Sequence, residues 1–355
     1  MKTGFVILLC AAVLLTFAAC SASPEPTASA EKPEPVEQAS ISDAEAAPTA
    51  PSEEPGSTAN TQSVEGTVSE FNFASKTVTL NNGVEMPILG IGTYRLSVQE
   101  AENSVYWALR DGYRLIDTAQ MYRNEVGVGR GIQRAIDEGL VTREEIFVTT
   151  KIWISDYPNA DAAVNRSLEN LGLDYIDLMI LHFSHPADDV DAYHALEGAV
   201  QDGRIRCIGL SNYYEPEDFD RVISQTTIRP VILQNETHPY HQSGLMKAHI
   251  AQYGTVIESW FPLGGRGNTQ TLFNDETIRR LAAEHGKSSA QILLRWHLQA
   301  GNIAIPGSSN EDHILENWQI FDFELSEEEM DAIAALEQDI FFSQEDLDMI
   351  NDYYN

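Results

Sequence analysis

The amino-acid sequence predicts an α/β fold, a (β/α)₈ barrel of the TIM type, and three observations support it. Eight short apolar segments alternate with longer amphipathic ones, which is the pattern of strands followed by helices. The short segments are apolar almost throughout, as parallel strands buried on both faces must be. An open doubly wound sheet is disfavoured, because Gly90-Ile-Gly92 after the first strand lacks the third glycine of a dinucleotide-binding motif.

The first 20 residues have the pattern of a secretory signal. An apolar run from Phe5 to Phe17, too short to span a membrane comfortably, is followed by two alanines and Cys20. This ending resembles a bacterial lipobox, although Phe17 stands where such motifs usually carry leucine. We therefore expect residues 1–20 to be a signal peptide and Cys20 to anchor a lipoprotein on the extracytoplasmic side of a bacterial cell membrane. The alternative is an ordinary cleaved signal.

Residues 21–63 are predicted to be a disordered linker. They are rich in Ala, Ser, Thr, Pro and Glu and hold almost no large apolar side chain, so they cannot bury enough surface to offset chain entropy. A spacer of this kind suits a domain tethered to a surface. The folded domain is expected over residues 64–340, followed by a C-terminal tail at 341–355.

Composition narrows the choice of partners. The formal net charge of −32 would repel nucleic acid and anionic membrane surfaces, so a nucleic-acid partner is excluded. Only Cys10, Cys20 and Cys207 are present, which allows neither a disulfide framework nor a cysteine metal site. The expected partners are a small molecule and, through Cys20, the membrane. The folded domain is expected to be a monomer.

The elements follow in order from a β-hairpin. Residues 67–73 and 76–80 alternate polar and apolar side chains around a turn at Ala74-Ser75, and Asn81-Asn82-Gly83 makes a second turn. The eight barrel strands are predicted at 88–91, 115–117, 147–150, 176–181, 205–210, 231–234, 255–259 and 303–305. Helices are predicted at 98–110, 126–138, 160–171, 190–201, 216–224, 245–253, 277–299 with a break near Gly286, and 313–317. A last helix begins at Ser326, which forms a capping box with Glu329.

Polar residues stand where three of these strands end. The carboxyl ends of barrel strands meet at one rim, so Asp117, Lys151 and His182 are expected there together. Each residue alone is better explained by a structural role, Asp117 as a cap or half of an ion pair, Lys151 as a solvated side chain and His182 as a core histidine. An unpaired buried charge costs several kcal/mol, however, so Asp117 and Lys151 should pair. Tyr122 returns over the same rim, and a nearby ammonium should lower its pKa and suit it to general acid catalysis.

Three motifs in this region resemble those of the aldo-keto reductase superfamily. They are the segment from Gly112 to Glu125, Thr149-Thr-Lys151 and Leu178-Met-Ile-Leu-His182. The similarity continues through Gly209-Leu-Ser-Asn212, Gln234-Asn-Glu-Thr-His-Pro-Tyr240 and Ile305-Pro306, and covers roughly residues 81–336. It implies reduction of a small aldehyde, ketone or keto-sugar, or the reverse alcohol oxidation, with NADPH or NADH.

The resemblance also implies roles for individual residues. Tyr122 would protonate the carbonyl oxygen, Lys151 paired with Asp117 would tune it, and His182 would orient the substrate. With Tyr94 and His182, Trp153 and Phe183 are expected to line the substrate pocket, the alternative being core packing. The expected cofactor contacts are Thr93, Tyr94, Asp117, Ser211, Asn212, Gln234, Trp260, Leu263, Ser308, Glu316 and Asn317. Little chain remains after the last strand, so an open site is expected.

One departure from the family concerns the cofactor. The usual lysine after Ile-Pro and the arginine six residues beyond it neutralise the 2′-phosphate of NADPH, but Gly307 and His313 stand at these positions. NADH should therefore be accepted at least comparably with NADPH. Ser308, Asn310 and a protonated His313 could still rebuild a weaker phosphate site.

Two rival interpretations remain. The pairs His182/His185 and His238/His241 have H-x-x-H spacing, but they lie in extended or loop segments beside prolines, so no metal is expected. Because nicotinamide cofactors are scarce outside the cytoplasm, an exported barrel could instead be a binding or scaffold lipoprotein with a vestigial site. The complete set of four catalytic residues opposes that reading.

Overall fold

A computed structural model describes residues 70–265, 267–344, 347–348 and 350 of the chain. The predicted signal peptide with Cys20 and the linker at 21–63 lie outside the described residues. The described part begins with an antiparallel sheet of three strands: β1 (Phe71–Asn72), β2 (Thr77–Thr79) and β3 (Glu85–Pro87). The predicted hairpin is thus confirmed over these residues, and β3 extends it.

The small sheet covers the amino ends of the barrel strands. The side-chain amide of Asn81 donates to the carbonyl groups of Pro230 and Tyr253, which precede two barrel strands. The Asn82 amide lies 3.3 Å from the sulfur of Cys207, near the start of a third. The opposite, carboxyl ends of the strands are therefore left for a site.

The main sheet is the predicted barrel of eight parallel strands, each paired with the next in chain order. It is nearly closed, because parallel bridges join Leu89 to Ala304 and Gly92 to Gly307 across the first and last strands. The strands are β4 (Gly90–Gly92), β5 (Leu115–Asp117), β6 (Phe147–Ile152), β7 (Ile176–Leu181), β8 (Ile205–Ser211), β9 (Ile232–Glu236), β10 (Val256–Trp260) and β11 (Asn302–Ala304).

Helices follow the strands where the apolar periodicity predicts them, and an additional short helix at Thr269–Phe273 was not predicted. They are α1 (Val98–Asp111), α2 (Glu125–Asp137), α3 (Ala160–Leu171), α4 (Asp189–Gln201), α5 (Pro216–Ile223), α6 (Gly244–Ile250), α7 (Thr269–Phe273), α8 (Glu276–His285), α9 (Ser289–Gln299), α10 (Glu311–Trp318) and α11 (Glu327–Ala334). The break between α8 and α9 falls at Gly286, whose φ of 62° lies in the left-handed region that glycine adopts without strain. The capping box of Ser326 and Glu329 is present.

The chain after α11 returns to the carboxyl rim of the barrel. The amide groups of Gln338 and Ile340 donate to the carbonyl of Tyr240, and the amide of Phe342 donates to the buried carboxylate of Glu236 at 2.7 Å. Ser343 donates to the same carboxylate. This segment is therefore held beside the end of β9. Among the helices of the described residues, none is both long and apolar enough to cross a membrane.

Candidate active site

A cavity of about 820 Å³ opens at the carboxyl ends of the barrel strands. Nearly all of the residues expected at the site line it: Tyr94, Asp117, Tyr122, Trp153, His182, Phe183, Ser211, Asn212, Gln234, Trp260, Leu263, Ser308, Glu316 and Asn317. Two expected residues lie beneath its surface. Thr93 is fully buried and its hydroxyl donates to the backbone carbonyl of Asp117 at 3.0 Å. Lys151 is also fully buried.

Lys151 pairs with Asp117, as expected. Its ammonium nitrogen lies 2.7 and 2.8 Å from the two carboxylate oxygens of Asp117. The same nitrogen donates to the carbonyl of Thr118 at 2.9 Å and lies 3.2 Å from the hydroxyl of Tyr122. These groups account for the three protons of the ammonium. The lysine is thus fixed between a carboxylate and a phenol, which the adjacent strands β5 and β6 bring together.

Lys151 keeps its positive charge in this site. Burial opposes the charged form of Lys151, but the neighbouring Asp117 and Tyr122 outweigh it, so the pKa of Lys151 is raised. Burial also raises the pKa of Asp117, an effect that Lys151 and the amide of Gln234 counteract. The chain therefore keeps a permanent cation directly below Tyr122.

The pKa of Tyr122 corrects one expectation. Removal from bulk water raises it to about 12, whereas Lys151 acts in the opposite direction and is the smaller influence. The predicted net lowering of this pKa is therefore wrong, although the direction of the lysine effect is right. Desolvation wins because phenolate loses more hydration than the single ammonium restores. Tyr122 consequently holds its proton throughout the neutral range.

His182 closes the other side of the cavity. Burial, followed by the charge of Lys151, lowers the pKa of His182 well below its usual value, so the imidazole is neutral. Its ring centroid lies 5.8 Å from that of Tyr122 and 5.2 Å from that of Trp153. Phe183 packs against both Trp153 and His182, at 5.5 and 5.3 Å. A neutral imidazole and a phenol thus face the cavity beside the aromatic rings of Trp153 and Phe183.

Tyr94 belongs to the same end of the cavity. Its ring centroid lies 5.0 Å from that of Tyr122 and 6.2 Å from that of Phe261. This position is consistent with the expected place of Tyr94 in the substrate pocket. Phe261 adopts a φ of 53°, which points to a constrained turn after β10.

Several residues at the cavity were not expected from the sequence. Ser343, Leu347 and Ile350 contribute to its wall, so the chain after the last strand reaches the cavity, which was not expected. A short apolar pattern after residue 339 was the available signal. Glu258 is buried on β10 and contacts Gln234; it could have been noticed as an acid in the middle of an apolar strand.

The comparisons with known proteins agree with this geometry. Residues 88–338 match the model of the Aldo/keto reductase family. The chain belongs to the aldo-keto reductase family. It is 42% identical over 266 residues to a glyoxal reductase of Bacillus subtilis, covering 74% of this chain and 93% of the relative. It is 42% identical over 264 residues to a methylglyoxal reductase of Yersinia pestis, covering 73% and 92%.

A solved structure supports the same assignment. The aldo-keto reductase of Bombyx mori in complex with NADP aligns with a TM-score of 0.71 and 38% identity, covering 75% of this chain and 94% of that one. Family membership makes the protein an oxidoreductase that reduces a carbonyl compound with NADPH or NADH.

The donor groups of the cavity suit such a cofactor. Ser211, Asn212 and Gln234, from β8, the residue after it and β9, line the cavity with hydroxyl and side-chain amide groups, which are the kinds of group that bind a carboxamide. The indole of Trp260 provides a flat face beside them. Glu316 and Asn317 of α10 line a different part of the same cavity.

Proposed function

We propose that this reductase acts on small aldehydes, ketones or keto-sugars and that Tyr122 is its general acid. The observation that carries the proposal is the shared ammonium of Lys151, 2.7 Å from Asp117 and 3.2 Å from the hydroxyl of Tyr122 at the floor of the cavity. The names of the two reductases of B. subtilis and Y. pestis support small carbonyl substrates.

Each residue has a defined part in this proposal. The nicotinamide cofactor supplies the hydride when it is bound. Tyr122 donates its proton to the carbonyl oxygen, and Lys151 stabilises the phenolate that remains. Asp117 keeps Lys151 in place, and the neutral His182 orients the carbonyl oxygen by a hydrogen bond. Together with Tyr94, the rings of Trp153 and Phe183 hold the apolar part of a small substrate.

The residues proposed to hold the cofactor follow the same logic. Ser211, Asn212 and Gln234 would bind the carboxamide, and Trp260 would stack on the nicotinamide ring. The adenosine end would contact α10 and the loops around it, through Leu263, Ser308, Glu316 and Asn317.

Cofactor titration tests the function against its rival, a scaffold with a vestigial site. Adding NADH or NADPH should quench tryptophan fluorescence, and Trp260→Phe should remove most of the quenching because this indole lines the cavity. The same protein should oxidise the cofactor only when glyoxal is added. Unchanged fluorescence together with no turnover would support the scaffold.

The same titration should give similar dissociation constants for NADH and NADPH. From Gly307 to Asn317 the chain contains no lysine or arginine. The side-chain oxygen of Asn310 already accepts a hydrogen bond from the backbone amide of His313 at 3.2 Å. Each missing charge-assisted hydrogen bond to the 2′-phosphate removes roughly 1.5–3 kcal/mol.

Repeating the titration with His313→Gln isolates the contribution of His313. Any remaining affinity for the phosphate that depends on the imidazole should weaken in this variant. A large preference for NADPH that persists in the variant would contradict the prediction, since other groups would then bind the phosphate.

We also propose that the protein is a bacterial lipoprotein anchored by Cys20 on the extracytoplasmic side of the cell membrane. The acidic linker offers no patch able to hold a membrane. Cys20→Ser should therefore release a soluble protein or leave an unprocessed precursor, as fractionation of cells would show. A wild-type protein that is soluble and begins at another residue would disprove the anchor.

A further inference from the structure

A second carboxyl group lies in the barrel beside the ion pair. Glu258 is fully buried on β10, where it is the register partner of Gln234 on β9 and Ile303 on β11. The side-chain nitrogen of Gln234 donates to Asp117 at 2.8 Å and to Glu258 at 2.7 Å. A continuous series of contacts therefore runs from Glu258 through Gln234, Asp117 and Lys151 to the hydroxyl of Tyr122.

The charges in this series are unequal. The series contains two carboxyl groups and one ammonium. Of the two carboxyl groups, Asp117 is the one that contacts the ammonium. Among the described residues, one oxygen of Glu258 has no hydrogen-bond partner and the other meets only the neutral amide of Gln234. An ionised carboxylate in that position is costly, because burial removes its hydration without supplying a cation. Of the two carboxyl groups, Glu258 is therefore the one that takes up a proton.

The surroundings of Glu258 also favour its protonated form. Burial is the main cause that raises the pKa of Glu258 to about 8, and Asp117 raises it further against the opposite effects of Gln234 and Lys151. Its neighbour on β11, Ile303, is apolar. Another buried carboxylate, Glu236 on β9, contacts His238 at 3.0 Å and Ser343.

We propose that Glu258 is a positioning residue for the proton donor. While its carboxyl group is neutral, it adds no second negative charge beside the Asp117–Lys151 pair, and Tyr122 therefore keeps its acidity. The inference rests on the proposed function and deepens it. When Glu258 loses its proton, a second negative charge enters the cluster. The phenolate of Tyr122 is then less favourable, and proton donation slows. Reduction should therefore weaken as Glu258 ionises.

The pH profile of glyoxal reduction at saturating cofactor tests this sequence of effects. In the wild type, kcat/KM should fall roughly tenfold from pH 7 to pH 9, since a group with a pKa of about 8 is then mostly ionised. Glu258→Gln preserves the shape and cannot ionise, so it should lose this fall while keeping a rate close to that of the wild type at pH 6. Glu236→Gln is the matched control and should retain the fall.

Stability provides a readout that does not depend on catalysis. Because folding raises the pKa of Glu258 above its ordinary 4.5, its favourable contribution is complete below that pH and is lost as the pH rises through about 8. The difference in free energy of unfolding, Glu258→Gln minus wild type, should therefore increase from pH 5 to pH 8 and stay constant above pH 8. A structural role of an ionised glutamate would give no such trend.

The outcomes separate this inference from the function on which it rests. A wild type that reduces glyoxal with a flat profile from pH 7 to pH 9 overturns the role of Glu258 alone, as does a fall that survives in Glu258→Gln. Absence of reduction at every pH overturns the proposed function and this inference with it.

Discussion

Tyr122→Phe is expected to lower carbonyl reduction by about 10²–10⁴-fold, the usual contribution of general acid catalysis. The substitution removes one hydroxyl, whose contact in the structure is the ammonium of Lys151 at 3.2 Å. The ring remains to pack against Tyr94, so the cavity should keep its shape. Cofactor affinity should stay almost intact, because the lost hydroxyl acts on the substrate.

Steady-state rates with glyoxal and a fluorescence titration of the cofactor measure these two effects separately. Tyr94→Phe is the matched control, since it removes a phenol hydroxyl from the same cavity without touching Lys151. Its loss of rate should be far smaller. Wild-type rates in Tyr122→Phe would refute the assignment of the proton donor.

Lys151→Met is expected to abolish most of the activity and to destabilise the fold. Without the ammonium, nothing opposes desolvation of the phenol, so the pKa of Tyr122 rises beyond about 12 and its proton becomes harder to donate. Asp117 also loses its partner at 2.7 Å in a site that is almost completely buried. Breaking a buried ion pair on one side costs about 3–5 kcal/mol.

A double variant separates these two consequences. Adding Asp117→Asn to Lys151→Met removes the unpaired charge, so denaturant unfolding should recover much of the lost stability while reduction stays low. The pH profile of any residual activity should shift to higher pH relative to the wild type. Full activity of Lys151→Met with an unchanged profile would contradict the proposed pair.

The sequence determined the order of the elements and four residues of the candidate site. Periodicity alone located the strands, because a parallel barrel strand must be apolar on both faces. Asp117, Lys151 and His182 were identifiable since polar residues at the ends of such strands stand out against that pattern. The break at Gly286 and the capping box at Ser326 were likewise local signals, carried by side chains a few residues apart.

Only the tertiary structure decided how these groups affect one another. The pKa of Tyr122 depends on the sum of desolvation by all its neighbours, so the local presence of Lys151 predicted the wrong net direction. Glu258 joins the cluster through Gln234 on a strand that follows Asp117 by more than one hundred residues. The contribution of Ser343 to the cavity wall arises from a hydrogen bond to distant Glu236. Burial and contacts between strands are properties of the assembled barrel, and no single segment of the chain contains them.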